Sequence, residues 1–237
     1  MSIPAWPAEE ERYAYTRKLL VRLVPPPADL IELGAAPGAQ SIALARLGYR
    51  VTAVDLGEAS DAWGEQPKGT MARAFVEEGV DFIRWDLAQA PYPVEDQSFD
   101  VVLLTEVVEH LRDYPLQALT EARRLLRSRG VLLLTTPNAA SPQNRVRLAL
   151  GRSVYTPLSD WIFGLPHARH AREYTAAELR ELTTRAGFGI VRVEGRHLHI
   201  HSGRRGPVAT PAKRLIDRIA RQRCSLGANL VVIGRLD

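Results

Sequence analysis

Five apolar runs recur through the first 136 residues: Asp29 to Leu33, Arg50 to Asp55, Val80 to Trp85, Phe99 to Leu104 and Gly130 to Thr136. In the longest of them, Val101 to Leu104 and Val131 to Leu134, apolar residues follow one another without polar alternation, the pattern of a strand covered on both faces. Between them, Ala39 to Leu47, Met71 to Glu77 and Pro115 to Arg127 carry apolar residues every three or four positions, as helices packed on one side do. Strand-like runs alternating with helical segments predict a doubly wound α/β fold around a mostly parallel sheet. Phe188 to Glu194 and Asn229 to Gly234 bring the expected strands to seven, with the last slotting in antiparallel at one edge. A helix from about Ala8 to Val24 precedes the first strand, is closed by Pro25-Pro26-Pro27, and is expected beside the ligand cleft.

The rest of the chain departs from this rhythm. Asn138 to Arg169, rich in Pro, Arg and aromatics, matches neither a strand nor a single helix and reads as an insertion over the cleft. Thr175-Ala-Ala-Glu178 is a capping box opening a helix that ends near Gly187. A single domain over 1–237 is expected: N-terminal helix (1–28), ligand-binding core (29–137), lid (138–170) and the remainder of the sheet (171–237).

Cys224 is the only cysteine, which excludes an internal disulfide and a structural zinc site of four cysteines or two cysteines and two histidines. No apolar run approaches the ~20 residues of a membrane helix. The opening Met1 to Pro7 lacks the basic flank and apolar core of a secretory signal, so a cytoplasmic location is expected. The formal charge is +4, yet between Arg196 and Arg223 eight Lys or Arg residues face one acid, Asp217. That stretch reads as a solvated helix face, with Lys213 to Arg223 a candidate helix; its alternative is a patch for phosphates or an anionic surface.

In such a sheet the first strand-to-helix turn carries the binding chemistry. Here it is Glu32-Leu-Gly-Ala-Ala-Pro-Gly38, where Gly34 and Gly38 permit a sharp turn and Pro37 suits a helix start. A dinucleotide fingerprint needs Gly where Ala36 and Ala39 stand, and a P-loop needs a lysine this turn lacks. Asp55 ends the second strand, where a carboxylate can accept from a ribose diol, and Asp86 ends the third, within reach of an exocyclic amine. Either aspartate alone is as readily a loop starter. The pair, together with the turn and Glu32, describes a nucleoside pocket without a pyrophosphate grip.

Four segments in order, Ile31 to Gly38, Val51 to Asp55, Phe99 to Leu111 and His170 to Leu179, resemble the class I S-adenosylmethionine-dependent methyltransferases, in particular their small-molecule branch. Ala36 departs from that family's more usual glycine. The resemblance implies a Rossmann-like methyltransferase fold with S-adenosyl-L-methionine as cofactor and S-adenosyl-L-homocysteine as product. It implies that Glu32 orients the turn, that Gly34, Ala35, Ala36 and Gly38 meet the methionine portion, and that Asp55 and Leu56 meet the ribose. Asp86 and Leu87 would then meet the adenine, with Thr105 and Glu106 near the sulfonium.

For a hydroxyl acceptor a general base is useful, and histidine suits neutral pH. His110, His167 and His170 are candidates, with His110 and His170 expected at the acceptor end of the cleft; His197, His199 and His201 read as surface residues. A rival use of the same residues is a divalent metal site. Glu106, Glu109 and His110 would share one face of a helix start by i,i+3 and i,i+4 spacing, with His170 as fourth ligand, as in RNA 2'-O-methyltransferases that this segment resembles. The acceptor should meet Trp6, Tyr13, Tyr15, Tyr155, Trp161 and Phe163, which line an apolar pocket or close a small core within the lid. A small-molecule substrate is expected and nucleic acid is not, since no appended RNA-binding module is visible; a non-catalytic cofactor-binding regulator is the alternative from a different class.

Overall fold

The computed structural model describes residues 7–57, 70–112, 115–163, 169–198 and 218–236. Five parallel strands, β1 (Asp29–Leu33), β2 (Arg50–Asp55), β3 (Asp81–Arg84), β4 (Phe99–Thr105) and β5 (Leu126–Pro137), alternate with α2 (Ala39–Arg46), α3 (Thr70–Glu77) and α4 (Pro115–Leu125). Helix α1 (Pro7–Leu23) precedes them; α5 (Pro142–Ala149), α6 (Leu158–Phe163), α7 (Ala176–Arg185), β6 (Gly189–Arg196) and β7 (Asn229–Arg235) follow. The seven-stranded sheet has the order β3-β2-β1-β4-β5-β7-β6, with β7 antiparallel to both neighbours.

The last strand therefore does not lie at an edge, as the sequence reading had it. It sits between β5 and β6, and β6 forms the edge. The reason is hydrophobic: Leu230, Val231, Val232 and Ile233 are all buried, and an edge position would leave one flank of that run and its backbone groups to water. Helix α4 also stops at Leu125, two residues before the reading placed its end, because β5 begins at Leu126. Arg127 in that early part of β5 is spent on Asp29 and Asp100, an ion pair that ties β5 to the start of β1 and β4.

Alternation along each strand divides the core between the two faces of the sheet. Val101, Leu103, Val231 and Ile233 pack with Leu20, Ile42, Leu44 and Phe75 of α1, α2 and α3. Val102, Leu104, Leu230 and Val232 pack with Leu119, Leu125, Leu179 and Phe188 beneath α4 and α7. Each fully buried Leu or Val on these faces contributes about 1.5–3 kcal/mol. Helix α7 opens with the expected capping box, Thr175 and Glu178 satisfying each other's backbone N–H groups.

The insertion forms two short helices, α5 and α6, over its described part. Ser141 caps α5 by accepting from the Asn144 N–H, with Pro142 at the first helical position. Tyr155, Trp161 and Phe163 are exposed and do not form the lid core that the sequence allowed. His197 is half-buried instead of lying on the surface. Trp6, His167, His199, His201 and most of the basic stretch lie outside the described residues, as does Lys213 to Asp217; residues 218–222 are helical.

Candidate functional site

The turn after β1 is held from three directions. The N–H groups of Gly34 and Ala35 both donate to the Val54 carbonyl, and the Gly38 N–H donates to Ala35. Gly34 has φ +76°, and a Cβ there would meet Val107 Cγ2 at 2.5 Å; Gly38 has φ +95°, and a Cβ would meet Phe75 at 2.8 Å. Both positions exclude any side chain by conformation and by space. Gly38 caps α2 without a side chain, leaving the first N–H groups of that helix available to a polar ligand. Pro37 stands before the cap and not in the helix.

Beneath the turn Glu32 is buried and accepts from the Ser41 hydroxyl at 2.5 Å. Burial pushes its carboxyl up to about 8, against the opposing hydrogen bonds from Ser41 and Thr105. Glu32 thus fastens α2 and the end of β4 to the base of the turn. Asp55 does the same from the side: its two oxygens accept from the N–H groups of Ala36 and Gly57, each at 3.0 Å. One carboxylate therefore joins the loop after β1 to the loop after β2, which includes Leu56, and each oxygen keeps a second lone pair for a ligand. Asp86, beyond β3, accepts from the Ala88 N–H at 2.9 Å, and the Leu87 carbonyl accepts from the Tyr92 hydroxyl at 3.0 Å. The aspartate here closes its own turn, as aspartates beginning loops commonly do.

The segment after β4 corrects the helix-start reading. Glu106 adopts φ +55°, a left-handed conformation that breaks the helical register, so Glu106 does not share a face with Glu109 and His110. Its carboxylate instead accepts from Arg12 of α1 at 2.6 Å and from the Thr135 hydroxyl at 2.9 Å. This bond ties α1 to the segment that follows β4.

Glu109, His110 and His170 come together without Glu106, with one ligand atom of each within 4.8 Å of the others. The two imidazoles meet edge to face at 4.9 Å between centroids. His110 Nδ1 donates to the Arg169 carbonyl at 3.1 Å, and His170 Nδ1 faces Glu173 Oε1 at 3.1 Å. A carboxylate on Nδ1 fixes the tautomer and leaves Nε2 as the basic nitrogen. Glu109 is buried; one oxygen accepts from the Thr136 hydroxyl at 2.8 Å, and the other has no hydrogen-bond partner. Burial, then the neighbouring charge of Glu106, raises its carboxyl well above the ordinary range.

Sequence reasoning missed Arg12, Ser41, Thr136, Asn144 and Glu173. Asn144, on α5, donates to Glu173 at 3.4 Å. Glu173 was within sight, three residues beyond His170, a spacing that suits a carboxylate orienting an imidazole; Arg12 and Asn144 are brought in by packing alone and left no local signal.

A family model described as a methyltransferase domain matches residues 8–193. A probable S-adenosylmethionine-dependent methyltransferase from Mycolicibacterium smegmatis is 35% identical over 162 residues, 68% of this chain and 52% of that protein. A ubiquinone biosynthesis O-methyltransferase from a Ruegeria species is 33% identical over 171 residues, 70% of this chain and 62% of that protein. The chain thus spans a little over half the length of such curated relatives. The crystal structure of an S-adenosylmethionine-dependent methyltransferase from Mesorhizobium loti superposes with a TM-score of 0.60 at 18% identity, over 92% of this chain and 96% of that one, a likeness of fold.

Proposed function

Because the chain belongs to the methyltransferase-domain family, we propose that it transfers a methyl group from S-adenosyl-L-methionine to a hydroxyl of a small-molecule acceptor. The observation that carries the reading is the His170–Glu173 pair beside His110 at the carboxyl end of the sheet. The donor set fits the cofactor: carboxylates at or just beyond the ends of β2 and β3, a turn after β1 with bare glycines at 34 and 38, and no lysine there for a pyrophosphate. When bound there, S-adenosyl-L-methionine would supply an electrophilic methyl on a sulfonium, with S-adenosyl-L-homocysteine as the leaving group.

In this reading the chain's own groups align, bind and move one proton. The turn from Gly34 to Gly38 holds the methionine portion, Asp55 and Leu56 the ribose, and Asp86 with Leu87 the adenine. Thr105 and Glu106 border the sulfonium. His170 Nε2 takes the hydroxyl proton as the oxygen–methyl bond forms, and Glu173 stabilises the resulting imidazolium. Alignment and a dry pocket supply most of the rate, since no covalent intermediate with the protein is needed. The O-methyltransferase named among the relatives supports a hydroxyl acceptor.

Calorimetry with S-adenosyl-L-homocysteine, followed by turnover on a panel of hydroxyl and amine acceptors, tests this reading. His170→Asn should lower kcat about thousandfold, and Glu173→Gln about tenfold, with homocysteine-product affinity unchanged. Tight binding with no product on any acceptor favours a regulatory binder; no binding sinks the reading altogether.

A second reading rests on the Glu109, His110 and His170 cluster and the buried, unpartnered Glu109 oxygen. A carboxylate and two imidazoles fit Mn2+ or Zn2+, which would polarise the acceptor oxygen. Activity lost to a chelator and restored by Mn2+ favours this reading, reopens an RNA end as acceptor, and removes the free-base role of His170.

A further inference from the structure

Residues 142–163 contradict the habit of the rest of the chain. Neither α5 nor α6 buries a single residue. The exposed large apolar side chains of the described residues concentrate here, including Leu148, Leu150, Tyr155, Leu158, Ile162 and Phe163, the last 85% exposed and Tyr155 81%. Helices of eight and six residues have no standing of their own in water, because nucleation is costly and stability comes from packing an apolar face. These helices carry apolar residues that stay exposed, while their contacts with the other described residues run through Asn144 and Trp161.

The charges beside that face identify what it fits. Between Pro142 and Phe163 the ionisable residues are Arg145, Arg147 and Arg152 against Asp160 alone, and all three arginines are exposed. Aromatic and aliphatic side chains next to arginines are the composition of segments that lie in the boundary between headgroups and acyl chains. A second copy of the chain is a poorer match, since a two-fold contact through this face would bring six arginines together.

We propose that α5, the loop after it and α6 form a docking element that lies on an anionic lipid bilayer. Its apolar side chains enter the acyl boundary, and Arg145, Arg147 and Arg152 meet lipid phosphates. The element also touches the candidate site: the Arg169 guanidinium lies 5.3 Å from the centre of the Trp161 ring, and the carbonyl of the same residue accepts from His110. The proposal stands apart from the choice of acceptor, because lipid binding is read without turnover.

Flotation of the full chain with vesicles decides it, comparing phosphatidylcholine alone with phosphatidylcholine carrying about one-third phosphatidylglycerol. The wild type should float with the anionic vesicles and release from them as salt is raised. The variant Leu158→Ser/Ile162→Ser/Phe163→Ser should lose at least about tenfold in apparent affinity, and Arg145→Glu/Arg147→Glu/Arg152→Glu about a hundredfold. Both variants should keep the wild-type melting temperature and S-adenosyl-L-homocysteine affinity, which separates this failure from one of folding or of the methyltransferase reading. Absence of wild-type flotation overturns the proposal, as does equal binding by the serine variant. So does sedimentation showing a wild-type dimer that the serine variant abolishes while neither binds vesicles.

Discussion

The turn after β1 and the helices after β5 occupy the same end of the sheet and are finished to opposite degrees. Around the turn, Glu32, Ser41, Asp55 and Thr105 are buried, and the backbone N–H groups of Gly34, Ala35, Ala36 and Gly38 each have a partner within the protein. In α5 and α6 every side chain is at least partly exposed. On the proposals made above, a region shaped for one small molecule closes on itself beforehand, whereas a region that meets an extended surface keeps its apolar residues outward. Preorganisation of the first kind lowers the ordering cost on binding.

The comparison breaks first at Gly34. Gly34→Ala forces a Cβ into Val107 at a left-handed position, and S-adenosyl-L-homocysteine affinity should fall at least about hundredfold by calorimetry. An unchanged affinity would mean that the turn is not the finished half. Glu32→Gln sharpens the contrast through pH. The folded-state pKa of Glu32 is raised from 4.5 to about 8, so its contribution to stability is fully present below about pH 4.5 and is lost as pH rises through about 8. The Gln variant, which cannot ionise, should gain about 3.5 kcal/mol on the wild type between pH 5 and pH 8 in denaturant titrations. Parallel curves for the two proteins would show that Glu32 is not desolvated. The smallest effect belongs to the open half: replacing Leu158, Ile162 and Phe163 together with Ser should move stability by no more than about 0.5 kcal/mol. A large loss would reveal packing that the exposure of these side chains does not show.

The core was legible because continuous apolar runs have one physical solution; β1 and β2 fall where the sequence placed them, Asp29–Leu33 and Arg50–Asp55. The place of β7 was not legible, since its run reads the same beside one neighbour or two until β6 is known to need a partner. Glu106 was misread because its letters suit a helix start, while its backbone is turned by the hydrogen bond from its N–H to Thr135 and its side chain is drawn to Arg12, both distant in sequence. His110 and His170 were found by residue type and position, yet their meeting depends on Ala171 and Arg172 donating to the Glu109 carbonyl, contacts without any local pattern. The lid aromatics were expected either to line a pocket or to pack on one another; hydrophobicity alone does not say which surface will cover a side chain.

Arg169 has its side chain against Trp161 and its carbonyl on His110. One residue thus borders both the outer helix and an imidazole of the candidate site, through its side chain on one side and its main chain on the other.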